Sequence, residues 1–94
     1  MTHHQFHVDQ AGHSITVNLR SGHPPEIELL VDGKELDYHH ERLADSVTLT
    51  GELPSTPPQP FSVRVDHVHH RARRAVCTLI TDVDERVMPE RAMA

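Results

Sequence analysis

Ninety-four residues and 10.6 kDa leave room for one domain with a thin hydrophobic core. Nine basic against fourteen acidic side chains give a net charge of −5, which argues against the dense cationic surface that non-specific nucleic-acid binding requires. The single cysteine, Cys77, excludes an internal disulfide framework and every multi-cysteine zinc motif, and no apolar run approaches the length of a membrane helix. A cytoplasmic protein, acting away from membranes and nucleic acid, is the expectation.

The first ten residues are polar and rich in histidine, with Phe6 and Val8 alternating with His7 and Asp9. This pattern fits either a first edge strand or a loose terminus over 1–10. After Ala11-Gly12, the segment from Ser14 to Arg20 alternates without a fault and puts Ile15, Val17 and Leu19 on one face, as a half-buried strand does. Pro24 and Pro25 end it. A second strand, Glu26 to Val31, runs into Asp32-Gly33, the dipeptide that suits a two-residue hairpin because both turn positions need positive φ. The return strand is predicted to reach about His39 and to carry Leu36 and Tyr38 on the inner face. Leu36, His39, His40 and Leu43 also match a helical spacing, so a helix over 35–45 competes.

Val47 and Leu49 alternate with threonines in a further strand, with a bulge predicted at Gly51. Four prolines in 54–60 mark an extended connector, expected to carry the chain from one sheet to the other. Alternation resumes at Phe61, Val63 and Val65 and is predicted to run through His67 and on to His69. Val76 to Thr81 is a β-branched run, Asp82 to Glu85 a turn, Arg86 to Met88 a short strand, and 89–94 a loose tail. A helical period over 65–76 competes here as well. The whole predicts a single all-β domain over 1–94: a small antiparallel β-sandwich or partly open barrel of six to seven short strands.

Ten histidines are the most unusual feature of the composition. His67 and His69, two apart in a predicted strand, would leave one face together, a spacing that suits joint ligation of zinc, nickel or copper. They are the candidate metal residues, with His39, His40 and Glu41, and His3, His4 and His7, as further clusters. Removal of the initiator methionine would expose Thr2-His3-His4, a chain end with the four-nitrogen donor set that copper(II) and nickel(II) prefer. Cys77, inside an apolar run, reads as a small buried hydrophobe rather than a nucleophile. Asp82, Asp84 and Glu85 lack the spacing of a calcium loop, and no phosphate-binding loop, nucleophile elbow or zinc-protease helix occurs. The basic run 69–74 is a candidate docking tip for an acidic partner or for a second copy. With three aromatic residues to line a pocket, no small-molecule substrate is identifiable. The leading expectation is a non-enzymatic protein-interaction module without cofactor, acting on a protein partner or by self-association. The alternative is a histidine-based binder of zinc, nickel or copper.

Overall fold

A computed structural model describes residues 3–20, 22, 24–40, 45–68 and 74–91. Nine strands are formed among them: β1 (His3–Gln10), β2 (His13–Arg20), β3 (Glu26–Val31), β4 (Lys34–His40), β5 (Val47–Leu53), β6 (Gln59–Asp66), β7 (Val76–Ile80), β8 (Glu85–Met88) and β9 (Glu90–Arg91). They make two antiparallel sheets, a five-stranded one in the order β4-β3-β2-β1-β9 and a four-stranded one in the order β5-β6-β7-β8. The sheets do not close on each other, so the architecture is an open β-sandwich.

Alternation places the core. Ile15, Val17 and Leu19 of β2 pair in register with Val31, Leu29 and Ile27 of β3, and all six face inward and are buried. Leu49, Val63, Val65 and Leu79 answer them from the second sheet, with Phe6, Phe61, Cys77 and Met88 filling the ends. The Asp32-Gly33 hairpin forms as its sequence requires, with φ of 51° and 83°, and Ala11-Gly12 makes a second such turn at 52° and 79°. Asp32 also ties the two hairpins together: its carboxylate accepts from the Ser14 amide at 3.0 Å and from His13 Nδ1 at 2.7 Å. These bonds, the amide first, hold the Asp32 carboxyl below the ordinary carboxylate range.

Several sequence expectations are corrected. The N-terminal segment from His3 forms the strand that its alternation allowed, not a loose terminus, but it lies between β2 and β9 and not at an edge. At the other terminus, Glu90 and Arg91 pair with β1, and the chain changes sheet at Pro89, whose carbonyl accepts from the His7 amide. The proline connector stays within one sheet, because β5 and β6 are neighbours and 54–58 is their hairpin loop. The other change of sheet falls between β4 and β5. Lys34–His40 is strand rather than helix, and 41–44 lie outside the described residues.

The inner-face assignment of Tyr38 fails, while Leu36 meets the opposite sheet at Gly51 but stays 36% exposed. The β3–β4 register shifts between Leu29 and Leu30, so Leu29 stands opposite Asp37 and Leu36 has no cross-strand partner. The bulge turns Tyr38 to the outer face opposite Glu28 and leaves Leu36 at the sheet edge. Gly51, where a bulge was predicted, pairs regularly with Phe61.

Candidate functional site

Among the described residues, the histidines do not converge. β6 ends at Asp66, and His67 follows with a φ of 63°, a left-handed conformation that breaks the alternation on which the His67/His69 pairing depended. His67 Nδ1 lies 3.7 Å from Asp45 Oδ2, where the Val68 amide also meets the Asp45 carbonyl. His69 and the basic run through Arg73 lie outside the described residues. The other imidazoles have separate neighbours: His4 with Glu90 at 2.8 Å, His7 with Thr16 at 3.1 Å, and His39 with Asp37 at 3.6 Å. Met1 and Thr2 are outside the described residues, and His3 and His4 pair with Arg20 and Leu19 in the β1–β2 ladder. Among the described residues, no group of three or more His, Cys, Asp or Glu side chains is placed to hold a metal ion. Cys77 is fully buried, and burial pushes its thiol far above the ordinary range, so it is packing rather than chemistry.

Two surfaces remain. The first is the outer face of the five-stranded sheet, where one row of polar side chains crosses all the strands. Arg91 Nε donates to Gln5 Oε1 at 2.9 Å, Gln5 Nε2 to Asn18 Oδ1 at 2.9 Å, and Asn18 Nδ2 to Glu28 Oε1 at 2.9 Å. Tyr38 Oη donates to Glu26 Oε1 at 2.6 Å beside it. The Asn18 bond holds Glu28 below the usual carboxylate range, while Glu35, hydrogen-bonded to that same carboxylate, is held above it. A dimple of about 30 Å³ lies on this row among Asn18, Arg20, Glu26, Glu28 and Tyr38. Room for about one water and a row of mutually satisfied groups describe a solvated sheet face.

The second surface lies at the end of the sandwich where the hairpin loops gather, and it is built around Gly51 and the bulge of the β3–β4 pair. Gly51 occupies an inward-facing position of β5 but brings no side chain. The bulge residue Leu36 reaches across from the opposite sheet to cover it: a Cβ on Gly51 would stand 2.8 Å from Leu36 Cδ1 and 3.2 Å from Phe61 Cζ. Leu36, Thr50, Gly51, Glu52, Pro60 and Phe61 line an open concavity of about 600 Å³. Pro60 and Phe61 are also walls of a second one, of about 480 Å³, continued by Leu53, Pro57, Pro58, Val83 and the polar Gln10, Gln59, Thr81 and Asp82. The two concavities share Pro60 and Phe61 as walls, so they adjoin there.

Its walls are held in place. Prolines 57, 58 and 60 fix φ along the β5–β6 loop, and Ser55 Oγ donates to the Pro57 carbonyl at 2.7 Å. The β7–β8 loop is knitted by Thr81, whose amide donates to the Asp84 carbonyl at 2.9 Å. The Thr81 hydroxyl accepts from the Asp84 amide at 3.2 Å and donates to the Asp84 carboxylate at 3.1 Å. That bonding leaves Val83 81% exposed at the loop tip. Val83 thus stands beside Pro57, Pro58 and Pro60 in the lining of the smaller concavity. Where β4 meets β5, the Asp37 carboxylate accepts from the Thr50 amide at 3.0 Å and closes the strand edge.

None of Leu36, Gly51, Phe61 or Val83 stood out in the sequence as a site residue. Gly51 was the one legible signal, since a glycine in a strand also marks a close approach of another chain segment. Compared with protein-family models, curated proteins and solved structures, the chain matches none.

Proposed function

We propose that this protein is a non-enzymatic interaction module that docks an extended segment of a partner protein in the groove over Leu36, Gly51 and Phe61. The observation that carries the reading is the junction of two concavities, about 600 and 480 Å³, on the shared walls Pro60 and Phe61. Each is of ligand-binding size, yet both open to solvent along their length, which favours a chain lying across them over an enclosed small molecule. Proline walls and a hydrogen-bonded loop reduce the ordering cost of binding. A buried Cys77 as the sole thiol fits a reducing compartment such as the cytoplasm. Self-association through the 69–74 run and metal binding at His67 and His69 have no supporting arrangement among the described residues.

Selection of random linear peptides on the immobilised protein tests this directly. Enriched sequences that are retained by the native protein and released by the Leu36→Ser/Val83→Ser variant support the docking role. No enrichment, or equal retention by the folded variant, contradicts it.

A further inference from the structure

The charge on the groove selects what lies in it. Among the described residues, two charged side chains line the two concavities, and both are carboxylates: Glu52 in the larger and Asp82 in the smaller. Both are exposed, one in each concavity, while of the two shared walls Pro60 is exposed and Phe61 nearly buried. A third carboxylate, Asp37, is bonded to the amide of the lining residue Thr50. Arg86 is held at one wall residue, Gln10, by neutral acceptors, with Nη2 at 2.6 Å from Gln10 Oε1 and 3.2 Å from the Asp9 carbonyl; it keeps its positive charge and sets one cation beside the two carboxylates. The chain as a whole carries −5, so the long-range field around the groove has the same sign as its rim.

From this geometry we infer that the groove's partner is a cationic, apolar segment: one or more aliphatic or proline side chains over Phe61 and Pro60, flanked on both sides by lysine or arginine that meet Glu52 and Asp82. This rests on the docking reading above and adds the chemistry of the occupant. Apolar contact over the floor supplies affinity, and the two carboxylates supply orientation and on-rate and reject acidic sequences. An acidic segment would bring like charge against both ends of the groove.

The composition of the selected random peptides separates the two levels of inference. Enrichment of aliphatic or proline residues next to Lys or Arg is expected. The Glu52→Gln/Asp82→Asn variant replaces two exposed carboxylates by near-isosteric amides, so its fold is retained, which a thermal melt verifies. It is expected to bind the selected peptides about three- to tenfold more weakly, a loss in the range of two exposed ion pairs. Raising salt from about 50 to 500 mM weakens binding to the native protein but not to that variant. Apolar peptides without basic residues, displaced by Leu36→Ser/Val83→Ser but indifferent to Glu52→Gln/Asp82→Asn, would leave the docking groove standing and overturn the charge inference. Enriched acidic peptides would overturn it as well. A library that yields nothing defeats both.

Discussion

Gly51 is the residue on which the groove turns. Its missing side chain lets Leu36 of the other sheet approach the Phe61 ring, and any Cβ there meets Leu36 Cδ1 at 2.8 Å and Phe61 Cζ at 3.2 Å. The leucine terminus is mobile enough to yield, while the ring, buried in the core, is not. Gly51→Ala is therefore expected to cost about 1–2 kcal/mol by overpacking. In Leu36→Ala the same glycine substitution costs less, so urea titrations of the two single variants and the double variant should show coupling of about 0.5 kcal/mol or more. Additive costs would mean that the two side chains do not meet. A second test at this scale concerns Glu35, whose carboxyl is raised by its hydrogen bond and proximity to Glu28. A carboxyl raised on folding favours the folded state only while protonated, and its penalty grows as pH rises through the unfolded value of about 4.5 to the folded one. Glu35→Gln should thus raise the melting temperature at pH 7 and leave it nearly unchanged at pH 3. The opposite holds for Asp66, lowered first by the Ser46 hydroxyl at 2.7 Å and then by Arg64 at 3.1 Å. Its contribution is present above pH 4 and is lost as pH falls through the folded value, so Asp66→Asn should destabilise at pH 7 and not at acid pH.

At the scale of elements, the two sheets meet along seams that backbone pairing does not close. Asp37 bridges one by accepting from the Thr50 amide at 3.0 Å, and Arg86 bridges the other by donating to the Asp9 carbonyl at 3.2 Å. Asp37→Ala should cost about 1–2 kcal/mol, the worth of a hydrogen bond to a charged group reduced by partial exposure, and should speed hydrogen exchange at Thr50 more than at Leu49. These seams also mark where the sequence ceases to be legible. Strict alternation located β2, β3, β5 and β6 and their buried faces, because the two-residue period and burial on one side state the same fact twice. It could not show the shift between Leu29 and Leu30, since a bulge adds one residue without changing residue type. The misplacement of Tyr38 and the half-exposed position of Leu36 at the groove follow from that single unseen residue. His67 failed for a related reason: the left-handed turn at φ 63° ends the strand, but histidine carries no glycine-like mark of such a conformation. The proline loop misled through length, as five residues serve a hairpin as readily as a crossover.

For the whole molecule, the Cα radius of gyration of 12.8 Å over extents of 40 × 29 × 21 Å is that of a single packed unit of this length. Cys77 sits inside that packing with no exposed surface. Thiol-reactive reagents should leave it unmodified in the native protein at pH 8 and react with it within the unfolding transition; modification without unfolding would contradict a core role. The charge is equally a whole-molecule property. Ten histidines on a chain of net −5, with a sequence pI near 6.0, bring the net charge close to zero just below neutrality. A solubility minimum near pH 6 is expected from the composition alone.

Docking in the groove is tested most directly by amide chemical-shift mapping with the tightest selected peptide. The largest shifts should fall on Leu36, Gly51, Glu52, Phe61 and Val83 and saturate together with one dissociation constant. Shifts centred instead on Gln5, Asn18, Glu28 and Tyr38 would move the binding surface to the outer face of the five-stranded sheet and contradict the groove as the site.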